Sequence, residues 1–133
     1  MFVKIIKVHD NDVAVSTPYG SFCGRWCDAA VPQSLRVYDV ELDTDDIIDD
    51  TAVCNAKINE PSILCDEDKV QLTGLLERYE NCMLFVRLGE SLIMLETDAE
   101  FDASRYVGEY ICIRVSGLQL WNTGLPAQFI AKI

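Results

Sequence analysis

No apolar run in this chain approaches the ~20 residues needed to span a bilayer. The opening MFVKIIKVHDND has neither the apolar block nor the small-residue cleavage site of a signal peptide. The expectation is a soluble, unexported, cytoplasmic protein. Histidine is nearly missing: His9 is the only one, beside the Asp10 turn. Nucleophile-plus-base catalysis usually recruits a histidine, and nothing around Cys23 or Cys27 supports a cysteine nucleophile paired with it. No Gly-rich phosphate loop is present. Carboxylate pairs are plentiful, yet a small barrel offers little cleft to hold a substrate. The chain is expected to be a non-enzyme.

Bases are scarce. Eleven lysines and arginines stand against 22 acids, a net charge of −11. The acidity is not a tail: five bases face eleven acids as far as Glu60, and six face eleven beyond it. A field of that sign repels phosphate backbones and anionic membranes and speeds the approach of a basic protein. Arg25, Arg36, Arg87, Arg105 and Arg114 are scattered singly among acids. They do not gather around Tyr19, Phe22, Trp26, Phe85, Tyr110 and Trp121 as a stacking groove for single strands requires. Those aromatics are expected in the core and between structural units, and no direct nucleic-acid or membrane binding is expected.

The six cysteines are widely spaced, and CGRWC holds the only close pair. Without a secretion signal, a disulfide framework is not expected. The thiols read as reduced and mostly buried small hydrophobes. Structural zinc needs four closed ligands. Cys23 and Cys27 supply two, while Cys54 and Cys65 form no second close pair. No metal and no cofactor are expected.

What is present is strand. Half the residues are hydrophobic, enough for a packed core. Alternating or β-branched segments separated by turn residues predict strands over 3–8, 13–17, 21–26, 35–42 and 51–58. Asn59-Glu60-Pro61-Ser62 breaks the chain. A second series follows over 69–77, 82–88, 92–96 and 110–115. Leu118 to Trp121 extends or bulges the fourth strand of this series, and 128–133 forms its fifth. Thr97 to Tyr106 carries a short helical turn capped by Thr97 or Asp98. Each half thus reads strand, strand, strand, connector, strand, strand, with YDVELD at 38–43 matching YICIRV at 110–115. This order, with VGEYICIRVSGLQL as a Gly-led fourth strand, resembles the OB-fold type of small β-barrel. The resemblance implies an all-β protein with little helix. Two OB-like barrels stand in tandem, over 1–60 and 61–133, and pack together because barrels that small are marginal alone. A single β-sandwich is the alternative.

The stretch DVELDTDDIIDD, 39–50, is the most unusual feature. Neither Asp43 nor Asp10 starts a calcium-binding EF-hand loop, because the sixth position is Ile48 or Val15 in place of glycine. Alternation sets Val40 and Leu42 on one strand face and Asp39, Glu41 and Asp43 on the other. Asp45, Asp46, Ile47, Ile48, Asp49 and Asp50 then form a loop with an apolar pair in an acidic frame, the arrangement of an interface hot spot. All nine are candidate partner-binding residues, with the alternative that Ile47 and Ile48 tuck inside. In size, charge and missing catalytic residues the chain resembles the small acidic immunity proteins of bacterial toxin systems. That resemblance implies a protein-binding inhibitor that occludes a basic toxin or nuclease. The alternative function is an OB-type binder of oligonucleotide or small ligand.

Overall fold

The computed structural model describes residues 1–66 and 68–125. Among them it forms eleven strands and two short 3₁₀ turns. The strands are β1 (Phe2–His9), β2 (Asp12–Thr17), β3 (Gly20–Trp26), β4 (Val37–Asp43), β5 (Val53–Asn55), β6 (Ser62–Asp66), β7 (Lys69–Glu80), β8 (Met83–Leu88), β9 (Ser91–Glu96), β10 (Tyr110–Val115) and β11 (Gln119–Asn122). The expected all-β class with little helix is what is found.

One unit is a closed five-stranded barrel in the order β1-β2-β3-β11-β4, with β4 returning to β1. Period-two alternation fills it: Val3, Ile5, Val13, Val15, Phe22, Trp26, Val40, Leu42 and Leu120 all point inward. A bulge between Ile5 and Lys7 breaks the alternation of β1 and leaves Ile6 exposed. β11 runs antiparallel to β4, with Trp121 opposite Glu41, and parallel to β3, with Leu120 opposite Trp26. Gly24 makes that approach possible. A Cβ there would stand 2.6 Å from Leu120 Cδ1 and 2.9 Å from the Leu118 carbonyl oxygen.

The second unit is a six-stranded sheet in the order β5-β10-β7-β8-β9, with β6 also paired to β7. β7 is long enough to pair with β6 over its first half and β8 over its second, and it bulges between Leu76 and Arg78. Past β9 the sheet meets one isolated parallel bridge, Ile48 to Thr97. There the Ile48 amide donates to the Glu96 carbonyl and the Asp98 amide to the Ile48 carbonyl, both at 2.8 Å.

The two units therefore follow one plan. Three strands meander, a fourth returns to pair with the first, and a last segment runs parallel to the third. In each unit that last segment comes from the other half of the chain. β11 completes the barrel of β1 to β4, and the 48–55 segment completes the sheet of β7 to β10. Leu118–Trp121 is thus no extension of β10 but a separate strand in the other unit. Sheet membership crosses residue 60 in both directions. The closed barrel beside a second sheet also replaces the single-sandwich alternative.

The units meet at the β2–β3 turn. The Ile63 amide donates to the Tyr19 carbonyl at 2.9 Å, and the Glu90 amide donates to the Tyr19 hydroxyl at 3.2 Å. Gly20 has φ +143°, and a Cβ there would collide with the Ile63 carbonyl. The buried residues of both units form one continuous core.

Two expectations shift, and a third falls on residues outside those described. The 3₁₀ turns lie at Asp50–Ala52 and Ser104–Tyr106, so a turn does fall within 97–106. Ala103 is its N-cap, and neither Thr97 nor Asp98 caps it. The Asp98 carboxylate accepts from the Glu100 amide at 3.3 Å. Thr97 is buried, and its hydroxyl has no hydrogen-bond partner among the described residues. β6 is a strand that the sequence pattern did not single out. The strand expected over 128–133 lies outside the described residues. Among the described residues no helix is long and apolar enough to cross a membrane.

The thiols differ most. None of the six cysteines is buried: Cys23, Cys54 and Cys65 are exposed, and Cys27, Cys82 and Cys112 are half-buried. Strand parity is the reason for most of them. Cys23 sits next to inward Phe22, Cys54 next to Val53, and Cys112 between Ile111 and Ile113. Burial nonetheless pushes the Cys27 thiol up from its ordinary value, against the lowering pull of Arg25.

Candidate protein-interaction groove

The nine residues singled out in 39–50 do not form one surface. Asp39 and Asp46 are structural. The Met1 amino group lies 3.1 Å from the Asp39 carboxylate, which also accepts from the Thr123 hydroxyl at 2.8 Å. Asp46 accepts from the Ser116 amide at 2.7 Å and from the Ser116 hydroxyl, so it ties the loop after β4 to the end of β10. Asp49 caps the first 3₁₀ turn, accepting from the Thr51 amide at 2.9 Å and the Thr51 hydroxyl at 2.5 Å. The Thr51 hydroxyl holds the Asp49 carboxyl below its ordinary value.

The two isoleucines separate. Ile48 is 1 % exposed and belongs to the core, whereas Ile47 is 53 % exposed. The parallel bridge at Ile48 turns its side chain inward and the next one out. Ile48 is therefore unavailable to a partner, a correction to its placement among the contact residues.

The remaining acids sit at different places. Asp45 lines a shallow cavity of about 310 Å³ with Asp12, Cys23 and Arg25. Asp49 and Asp50 line another, of about 420 Å³, with Asp98, Glu100, Asp102 and Arg105. Among the described residues no group of three or more histidine, cysteine or acidic side chains is arranged to hold a metal ion.

Glu41 and Asp43 remain as the outward face of β4, as the alternation predicts. They form one bank of a groove of about 510 Å³ between the units. Trp121 of β11, directly opposite Glu41 in the sheet, stands on the same bank. Met83 of β8 and Leu92, Met94 and Glu96 of β9 form the other. Leu92 is 43 %, Met94 54 % and Trp121 44 % exposed. An apolar centre is thus framed by three carboxylates. Among the described residues none of the three carboxylates enters an ion pair. The bases on the neighbouring strands are already engaged, Arg87 with Glu77 at 2.7 Å and Arg78 with Glu80 at 3.2 Å. Arg78 also covers the Phe85 ring at 4.0 Å.

Met83, Leu92, Met94 and Glu96 were not among the residues read from sequence. Trp121 was expected only as a packing aromatic, whereas it stands exposed on the groove. A signal was present for β9. SLIMLE is apolar at four consecutive positions, so whichever parity faces the core, two large apolar side chains must face out. Trp121 carried none, because its strand was assigned to the wrong unit.

Comparison of the chain with protein-family models, with curated proteins and with solved structures returned no match.

Proposed function

We propose that the chain is a non-enzymatic, cytoplasmic protein-binding module whose acidic groove docks a basic partner, in type an immunity-like inhibitor of a basic toxin or nuclease. The observation that carries this reading is the groove itself, with Leu92, Met94 and Trp121 exposed between Glu41, Asp43 and Glu96. Exposed apolar side chains ringed by charge of one sign are the pattern of a partner site. The partner's lysines and arginines pair with the carboxylates and are lost to phosphate binding. Charge steering speeds capture, and burial of the apolar centre slows release.

The test is capture by the wild-type chain and by a Glu41→Gln/Asp43→Asn variant in parallel, followed by assay of the captured protein's activity. A basic protein inhibited by the wild type and released by the variant supports the reading. Equal capture by both chains sinks it.

A second reading, a small-ligand binder, is favoured by a cavity of about 440 Å³ lined by Ile58, Leu64, Gln71, Thr73, Cys54 and Cys112. A ligand there would slow alkylation of Cys54 and Cys112 and leave Cys23 unaffected.

A further inference from the structure

β9 is the last strand of the second sheet, and its hydrogen-bonding geometry decides which of its groups face outward. The Thr97 amide donates toward β8, to the Cys82 carbonyl at 2.8 Å, while the Glu96 carbonyl accepts from Ile48 on the far side. Backbone groups alternate sides along a strand. Leu95 and Ile93 therefore direct their amides and carbonyls to β8, and Met94 and Leu92 direct theirs to the open edge. Among the described residues the Ile48–Thr97 bridge is the only pairing on that edge, and no strand is hydrogen-bonded to Ser91 to Leu95 there. β4 packs close to β9 across the groove without pairing with it.

The same edge borders the groove. Leu92, Met94 and Glu96 expose their side chains on one bank, and Glu41 and Asp43 stand on the other. Proteins usually guard an edge strand with lysine, proline or a bulge. β9 has none of these, and its exposed side chains at Leu92 and Met94 are apolar. What guards it is carboxylate, and carboxylate selects among occupants. A second copy of this chain, itself at net −11, would bring both sets of Glu41, Asp43 and Glu96 together. An extended basic segment meets opposite charge on both banks.

We infer that the groove takes an extended, basic segment of the partner as an added β-strand alongside β9. Its backbone pairs with Leu92 and Met94, and its lysines or arginines reach Glu41, Asp43 and Glu96. This rests on the reading of the groove as a docking site for a basic partner, and it adds the mode of recognition. Main-chain pairing supplies sequence-tolerant affinity, and alternate side chains supply the selection for charge.

The probe is an eight-residue peptide of alternating lysine and valine, beside the same peptide N-methylated at alternate positions and a glutamate–valine control. Titration against Trp emission gives the affinities, and amide exchange by NMR gives the location. The lysine peptide is expected to bind, to slow exchange at Leu92 and Met94, and to lose about tenfold in affinity on N-methylation, the worth of one to two backbone hydrogen bonds. The Glu41→Gln/Asp43→Asn variant is expected to bind it more weakly, with a shallower salt dependence. If the lysine and N-methylated peptides bind equally and still depend on Glu41 and Asp43, strand addition is wrong while the basic docking site stands. If the glutamate control binds as well as the lysine peptide, both are wrong. Leu92 and Met94 amides already protected in the free protein, or a stable dimer in sedimentation, would show the edge occupied and also overturn the inference.

Discussion

The two units share a strand plan but close differently. In the barrel, β11 is held on both sides, by four paired residues of β4 and two of β3. In the second unit the equivalent 48–55 segment is held by three paired residues of β10 but reaches the β9 side through one bridge at Ile48, and the edge of β9 stays unpaired beyond it. One ring is sealed and the other is left ajar, and the groove lies where it is ajar. Exposed apolar groups and outward-facing backbone gather at the incomplete closure because there no strand among the described residues pairs over them.

The comparison breaks most severely if the chain is divided. Each unit lacks its closing segment when only its own half is present. Fragments 1–60 and 61–133 are therefore expected to be unstructured alone, by circular dichroism, and to recover strand signal on mixing. Intact, the chain should unfold in one transition, since one core runs through both units. Independent folding of either fragment would show that the crossed strands contribute little.

The next effects separate the two closures. Leu120 is fully buried between β3 and β4, and Leu120→Ala should cost about 3–4 kcal/mol, from lost transfer energy and the cavity left behind. Ile48→Ala should cost about 2–3 kcal/mol, toward the lower end of the same range because the surrounding loop relaxes more readily. Ile47→Ala, at the exposed neighbour, should stay within about 0.5 kcal/mol. Denaturant midpoints measure all three. Equal losses for Leu120→Ala and Ile48→Ala would erase the distinction between sealed and open.

These residues also mark how far the sequence could be read. Parity along β4 placed Val40 and Leu42 inside and Glu41 and Asp43 outside, because alternation is a local property of an extended chain. The class and the repeated strand order were legible for the same reason. The crossing of β5 and β11 was not, because strand pairing is long-range and QLWN looks the same whichever unit it joins. The groove was half legible: its acidic bank lay in one stretch, while Trp121 and Met94 reach it only through pairing. The cysteines misled because hydrophobicity suggested burial, whereas Phe22, Val53, Ile111 and Ile113 had already taken the inward positions beside them.

A smaller effect tests the division of the acidic stretch into pins and docking groups. Asp46 joins the end of β4 to the end of β10 through Ser116, so it braces the very loop that crosses between units. Asp46→Ala should cost about 1–2 kcal/mol, since two hydrogen bonds to a carboxylate are lost. Asp45→Ala, whose side chain is exposed, should stay within about 0.5 kcal/mol. Neither should change binding of a basic partner as Glu41→Gln/Asp43→Asn does.

The smallest expected effect is a pH dependence at the open closure. The Thr51 hydroxyl, and then the backbone amides of Thr51 and Ala52, hold the Asp49 carboxyl below its ordinary value. A carboxyl whose value is lowered by folding binds its proton more weakly in the folded chain. Its contribution is therefore present above the ordinary carboxylate value near 4 and is lost as pH falls through the lower folded value. Thr51→Val removes the hydroxyl donor but leaves the backbone amides, so it should flatten the acid limb of the stability curve without abolishing it. Asp49→Asn should flatten it further. Because Asp49 directly follows Ile48, acid should loosen this closure before it reaches the sealed barrel. Amide exchange at Asp98, whose amide donates to the Ile48 carbonyl, should rise relative to Cys27, whose amide donates to Leu120, as pH is lowered and intrinsic rates are corrected. A parallel rise at both amides would mean that the two closures open together, and that the difference between them is geometric but not energetic.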